Sequence, residues 1–394
     1  MAAEREPLRV GYVVERFPCA SETFVANEIR GVAEQGLRVT VFALTAGGGA
    51  MDVPAEVVYA EAPADAGRHG RLRSMPALLA EALAVEGPSP RRVLSALRRA
   101  KAVRRFAAEA DRRGIRHLHA HFASLPATLA FMTARLTGAT VSFAAHARDI
   151  YLEPAALPRK LSRATLCVTC SRANAEFLRG LAPQAGRSRV VVVYHGTDLD
   201  RFTFRPRTEP ASPPLVVAMG RFVPKKGFDV LLRACALLRS RMELRCEIVG
   251  EGPLAAHLPS LARRLDLGGT CSFPGWMPYE RTPQLYGRAD VLAAPSVVAP
   301  DGDRDGLPNV VVEAMASGVP VVACRVGSIP EAVLHEQTGL LVPPGDPVAL
   351  ANALERLLTD ADLRAAVARA ARRRAEEQFD CREGARMLTS LLRK

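Results

Sequence analysis

Between Ala289 and Val326 the chain spells out a strand, a polar loop, a helix and a second strand in direct succession. The apolar run Val291–Ala294 is stopped by Pro295-Ser296, and a loop rich in Gly and Asp covers Pro300–Pro308. A second apolar run, Asn309–Ala316, is long enough for helical turns and closes at Ser317-Gly318, before the strand Val319–Ala323. This order is a βαβ unit. It predicts parallel strands, and doubly wound parallel sheets bind ligands at the carboxyl ends of their strands. Two carboxylates mark that end: Asp305 precedes the helix and Glu313 lies within it. An acid in an otherwise apolar helix is costly unless something polar meets it. A ligand rich in hydroxyls would do so; an ordinary helix with a solvated Glu is the plain alternative.

The same grammar opens the chain. Leu8–Val14 reads as a strand, Glu15–Thr23 as a loop, Phe24–Gln35 as a helix ended by Gly36, and Val39–Ala43 as a strand. It begins again at Leu215–Met219, after the Pro-rich stretch Phe204–Pro214, which reads as a linker. With 394 residues there is material for two or three domains. The first loop lacks G-x-G-x-x-G and no Walker A sequence occurs, which disfavours a dinucleotide cofactor and a P-loop. No apolar stretch approaches the roughly 20 residues of a membrane span. The acids and proline of MAAEREPLRV do not read as a signal peptide, so a cytoplasmic location is expected.

The net charge of +12 is concentrated. From Arg68 to Arg116 thirteen Arg and Lys face four acids, and Arg91, Arg92, Arg98, Arg99, Lys101, Arg104 and Arg105 share helical stretches with Leu79, Leu83, Val93, Leu94, Leu97, Val103 and Phe106. Such a face suits peripheral docking on an anionic membrane surface, or is simply a solvated basic face. Few aromatics and no recognition motif exclude nucleic acid as a partner. Eight scattered cysteines read as small hydrophobes. Cys167 and Cys170 sit on a strand-like run that points them to opposite faces, against redox or zinc use.

Several loops carry polar groups at strand ends. Ser21, Glu22 and Thr23 follow the first strand; a helix cap is the structural alternative for them. His117, His119 and His121 alternate along Ile115–Phe122, and with no acid or Cys nearby in sequence they are not expected to bind metal. His146 and Asp149 follow the strand beginning at Val141. In the second half, Gly220-Arg221-Phe222-Val223-Pro224-Lys225-Lys226-Gly227 follows a strand and precedes a helix at Phe228. Arg221 and Lys226, on a Gly-bounded loop, suit a diphosphate.

Taken together, Asp305-Gly306-Leu307-Pro308-Asn309 with Glu313, the Arg221…Lys226-Gly227 loop, Gly250-Glu251-Gly252-Pro253, His146-Ala147-Arg148-Asp149 and His195-Gly196-Thr197-Asp198 resemble the motifs of retaining family 4 glycosyltransferases. Phe17-Pro18-Cys19-Ala20-Ser21-Glu22-Thr23-Phe24 is similar to the opening of members that build bacterial exopolysaccharides. Two positions depart from the family: Asp305 stands where Glu is usual, and Ala147 where Gly is usual.

The resemblance implies an α/β protein of GT-B fold: two Rossmann-like doubly wound domains facing across a cleft, 1–200 and 201–375, with a C-terminal helix, 376–394, crossing back to the first. It implies transfer of a sugar from a UDP- or GDP-sugar to a glycan, lipid-linked or small-molecule acceptor, with no metal and no further cofactor. His146, Arg221, Lys226 and Asp305 would be catalytic. Donor contacts would come from Arg221, Lys226, Gly250, Trp276, Met277, Asp305, Gly306, Leu307, Asn309, Val310 and Glu313, with Trp276 either in the base-binding floor or in the core. Acceptor contacts would come from Ser21, Glu22, Thr23 and His121. A nucleotide-sugar epimerase of the same fold and a non-catalytic nucleotide-sugar-binding scaffold are the alternatives.

Overall fold

The computed structural model describes residues 7–19, 22–48, 52–61, 74–152, 154, 156–181, 189–207 and 209–394. Ser21 and the basic residues Arg68, Arg71 and Arg73 therefore lie outside the described residues. The chain divides into two compact units: residues 1–195 with 382–394, and residues 196–381.

The first unit runs β1 (Arg9–Phe17), α1 (Thr23–Glu34), β2 (Arg38–Ala46), β3 (Ala55–Tyr59), α2 (Met75–Glu86), α3 (Pro90–Leu97), α4 (Ala100–Arg112), β4 (His117–His121), α5 (Leu125–Thr137), β5 (Thr140–Ala145), α6 (Leu157–Arg163), β6 (Leu166–Thr169), α7 (Arg172–Leu181) and β7 (Arg189–Val192). Its seven strands pair in parallel in the order β3-β2-β1-β4-β5-β6-β7. Strand side chains alternate between faces. Val10, Tyr12 and Val14 of β1 pack with Ile29 of α1 on one side, and Val13 packs with Phe106 and Met132 of α4 and α5 on the other. A sheet covered on both faces must be apolar throughout, which is why these strands read as continuous hydrophobic runs.

The second unit runs β8 (Leu215–Met219), α8 (Phe228–Arg239), β9 (Arg245–Val249), α9 (His257–Arg264), β10 (Cys271–Gly275), α10 (Thr282–Arg288), β11 (Val291–Ala294), α11 (Asn309–Ser317), β12 (Val321–Cys324), α12 (Ile329–Ala332), β13 (Leu340–Val342), α13 (Pro347–Thr359) and α14 (Ala361–Gln378). Its six parallel strands are ordered β10-β9-β8-β11-β12-β13. In each sheet the strand order thus reverses once, beside the unit's first strand, the arrangement of a doubly wound fold. The final helix, α15 (Cys381–Leu392), packs Ala385, Leu388 and Leu392 against the β1 and α1 side of the first sheet.

Some element bounds shift. β1 continues to Phe17, so the first loop is shorter than its sequence reading. The C-terminal helical run is three helices; Asp360 breaks it and caps α14 by accepting from Leu363 N at 2.9 Å. The cysteines are not all scattered in space: Cys235, Cys246 and Cys271 converge from α8, β9 and β10. In the basic region, Val93, Val103 and Phe106 are core residues, while Leu79, Leu83 and Leu94 remain 42%, 45% and 51% exposed. Arg91 and Arg92 of α3, Lys101 of α4 and Arg98 in the turn between these helices are exposed. No helix among the described residues is long and apolar enough to cross a membrane.

Candidate functional site

In the second sheet the switch point lies between β8 and β11, and the loops after these strands carry most of the groups expected at a donor site. Two glycines let the loops close on one another. Gly227, with φ +61°, caps α8, and a Cβ there would lie 2.0 Å from the Pro295 carbonyl oxygen. Gly327, with φ +53°, follows β12, and a Cβ would lie 2.0 Å from the Asp305 carbonyl oxygen. Backbone then bonds directly to backbone: Val297 N donates to Lys225 O at 2.8 Å, and Ser328 N to Gly306 O at 3.1 Å.

Asp305 is brought by this closure into a cationic pocket and is only 7% exposed. Its Oδ2 accepts from Lys226 Nζ at 2.9 Å and from Ser296 Oγ at 2.7 Å. Lys225 Nζ stands 3.8 Å from Oδ1 and 3.0 Å from Asp303 Oδ1. Burial alone would raise the Asp305 pKa; Lys226, Lys225 and the Ser296 hydroxyl outweigh it and hold the carboxyl below its usual range. Asp305 is therefore an ionised anchor at neutral pH and not a proton donor. Arg221 is exposed at the head of the same loop.

α11 begins beside Asp305 with no side-chain cap on its first N–H groups. Helix N-termini of this kind attract anions. Gly306, Leu307, Asn309 and Val310 are half-buried around it. One turn further in, Glu313 is 5% exposed and accepts a 2.8 Å hydrogen bond from Tyr286 Oη. Burial raises its pKa to about 7, the Tyr286 bond opposing. Gly250 N donates to Gly275 O at 2.9 Å, tying the ends of β9 and β10. Beyond them Met277 is half-buried and Trp276 is 55% exposed, which excludes the core alternative for Trp276.

The first sheet has its own polar cluster at the carboxyl ends of β4 and β5. His121 ends β4, and Phe122, at φ 77°, turns the chain away. His121 Nδ1 lies 3.5 Å from His146 Nε2, and His146 Nδ1 lies 3.3 Å from His195 Nε2. The Phe24 ring packs on His195 and His146 with centroid distances of 4.5 and 5.0 Å. Burial pushes His146 well below the ordinary histidine value and His195 down to about 4, so both are neutral at pH 7. Asp149 fixes the turn after β5 by accepting from His146 N at 2.8 Å. Glu22 sits at the N-cap position of α1 without making a side-chain cap, which corrects the capping alternative for that residue; Thr23 is the first residue of the helix, and Ser21 lies outside the described residues. The sequence also places no acid or Cys beside the histidines. For His119 and His121 the fold supplies an acid, Glu28, whose Oε1 is 3.0 Å from His121 Nε2; Cys170 stands with the other pair, His146 and His195.

Glu28, Lys225, Tyr286 and Ser296 are thus site groups that the linear motifs omit. Only Lys225, adjacent to Lys226, carried a local signal.

Residues 21–201 match the family described as Glycosyltransferase Family 4, and residues 200–374 match Glycosyl transferases group 1. A glycosyltransferase ascribed to colanic acid biosynthesis in Escherichia coli (strain K12) is 36% identical over 52% of the chain and 51% of its own length. The chain thus spans about half the length of several curated relatives it matches. It covers 69% of a GDP-mannose-dependent alpha-(1-6)-phosphatidylinositol monomannoside mannosyltransferase of Mycobacterium tuberculosis (H37Rv), at 33% identity over 64% of the chain. Among solved structures, Anabaena Alr3699/HepE in complex with UDP and glucose superposes with a TM-score of 0.73, at 21% identity over 98% of this chain and 99% of the other, a likeness of fold.

The raised Glu313 pKa has a measurable consequence. The unfolded carboxyl titrates near its ordinary 4.5 and the folded one at about 7. The folded state therefore holds the proton more tightly, and stability present below the lower value is lost as pH rises through the upper one. Glu313→Gln should be more stable than the parent by up to roughly 3 kcal/mol above about pH 8, the gap shrinking toward zero near pH 4. Denaturant melts across this range measure it; a gap independent of pH would contradict the assignment.

Proposed function

The chain belongs to glycosyltransferase family 4, and from that membership we propose that it is a retaining glycosyltransferase moving a sugar from a nucleotide-diphosphate sugar to an acceptor hydroxyl. The observation that carries this reading is the convergence, at one switch point, of Lys226 on ionised Asp305, the uncapped start of α11, and buried Glu313. In the proposed arrangement Glu313 meets the ribose hydroxyls, which replaces the solvation its carboxyl lost on burial. Arg221, Lys226 and the N–H groups of α11 meet the diphosphate, so the reading calls for no metal there. Asp305 stands by the transferred sugar and fixes Lys226.

As the sugar C1–O bond to the phosphate breaks, negative charge grows on the departing oxygen. Groups already aimed there bind it better in the transition state than in the ground state, which is what accelerates the step. In front-face retention the acceptor oxygen bonds to C1 on the same side, and its proton passes to the departing phosphate. The acceptor is assigned to groups of the first unit, Ser21, Glu22, Thr23 and His121, with His146 as a neutral hydrogen-bonding group beside the sugar. Relatives named for colanic acid, amylovoran and phosphatidylinositol monomannoside support a polysaccharide or lipid-linked acceptor. A structure named as a complex with UDP and glucose supports UDP as the donor nucleotide, whereas mannosyltransferases named as GDP-mannose-dependent support GDP.

A thermal-shift panel of UDP-, GDP- and ADP-sugars discriminates the donors. A ligand at a hundredfold its Kd stabilises by about 2.7 kcal/mol. Glu313→Ala should erase most of the shift, and an undiminished shift would remove Glu313 from the site. Arg221→Ala, at an exposed position, should lower kcat more than it raises KM; a KM effect alone would make Arg221 a docking group. The exposed Leu79, Leu83 and Leu94 beside Arg91, Arg92, Arg98 and Lys101 support docking of the first unit on anionic lipid. The chain should then sediment with vesicles containing phosphatidylglycerol and not with pure phosphatidylcholine. Equal recovery with both, or with neither, would reject the membrane partner.

A further inference from the structure

Six of the eight histidines fall in the first unit, and two of them face a carboxylate, Glu28, to which the transfer reaction gives no role. His119 and His121 stand two apart on β4, both fully buried, with their Nε2 atoms turned to one oxygen. Glu28 Oε1 is 3.0 Å from His121 Nε2 and 3.8 Å from His119 Nε2. Zinc bonds of about 2.0–2.2 Å in a tetrahedron put ligand atoms about 3.3 Å apart, and these two distances bracket that value.

The remaining ring nitrogens are held as metal-bound histidines require. His119 Nδ1 lies 2.7 Å from Ser142 Oγ, and His121 Nδ1 faces His146. Outer partners of this kind fix the ring and its tautomer. Most telling, His119 Nε2 is buried and has no hydrogen-bond partner among the described residues. Buried polar atoms without partners are uncommon, and an ion is one of their recognised explanations. Burial pushes His119 down to about 3, leaving the unprotonated imidazole that coordinates metal.

We propose that Glu28, His119 and His121 form a binding site for one divalent transition-metal ion of the zinc class, with Ser142 orienting His119 from outside. Nitrogen and carboxylate donors suit this class better than magnesium or calcium. Tyr12 Oη, 3.1 Å from Glu28 Oε1, borders the remaining side. The trio Cys170, His146 and His195 is the nearest rival, and neither of its imidazoles carries an unpartnered buried nitrogen.

The test is binding to the full chain and does not depend on the sugar-transfer reading. Chelator-stripped protein is titrated with zinc by calorimetry and with cobalt(II) by visible absorption. The proposal expects one ion per chain, and a cobalt spectrum typical of four or five nitrogen and oxygen ligands. His119→Ala should weaken zinc by more than about a hundredfold and Ser142→Ala by about tenfold, with Cys170→Ser neutral. Glu28→Gln keeps a hydrogen-bond acceptor for His121 but removes the charge; it should also lose zinc, which keeps the test decisive if His119→Ala fails to fold. Absence of binding, unchanged affinity in Glu28→Gln, or loss on Cys170→Ser with a thiolate cobalt spectrum would overturn it.

Discussion

Lys226 Nζ and Asp305 Oδ2 lie 2.9 Å apart in a site almost closed to water, and the rest of the second unit's polar edge is arranged around that contact. An aspartate buried to this degree stays ionised only because Lys226, Lys225 and the Ser296 hydroxyl oppose the cost of its desolvation. Removing one partner of such a pair typically costs about 3–5 kcal/mol, since the other charge is left stranded. The pair therefore does two things at once. It locks the loop after β8 to the loop after β11, and it stations a cation beside the start of α11. On the proposed reading a diphosphate arriving there would find its positive groups already placed, so little reorganisation would accompany the growth of negative charge on the departing phosphate.

The first unit solves a similar geometrical problem with opposite electrostatics. Its strand ends carry imidazoles, and burial strips His119, His146 and His195 of their protons at neutral pH. Glu28, delivered by α1, brings a carboxylate charge into that cluster. The neutral rings of His119, His146 and His195, fixed by their neighbours, suit hydroxyl groups or a metal and not a diphosphate. The proposed division of labour between the units would thus follow from which charges each sheet edge can keep.

The sheets were legible because parallel strands covered on both faces are apolar without interruption; Val291–Ala294 and Leu215–Met219 have in the structure the bounds their sequence reads. The phosphate-facing loops were legible because their chemistry is local: Arg221, Lys226 and Gly227 lie within seven residues. What stayed hidden is long-range pairing. Glu28 meets His121 across 93 residues, and Tyr286 meets Glu313 across 27, and no periodicity records either. Judging the histidines by sequence neighbours alone therefore missed their acid. Trp276 was ambiguous for a related reason: a large apolar residue in a turn has no periodicity to say which side it faces, and it proved exposed.

The central claim is that a nucleoside diphosphate leaves from the switch point of the second sheet. A crystal structure of the chain with bound UDP or GDP tests it most directly. The account predicts phosphates at the first N–H groups of α11 and within hydrogen-bond reach of Arg221 and Lys226, with the ribose hydroxyls on Glu313. A nucleotide bound to the first unit, or phosphates more than one helical turn from Lys226, would contradict it.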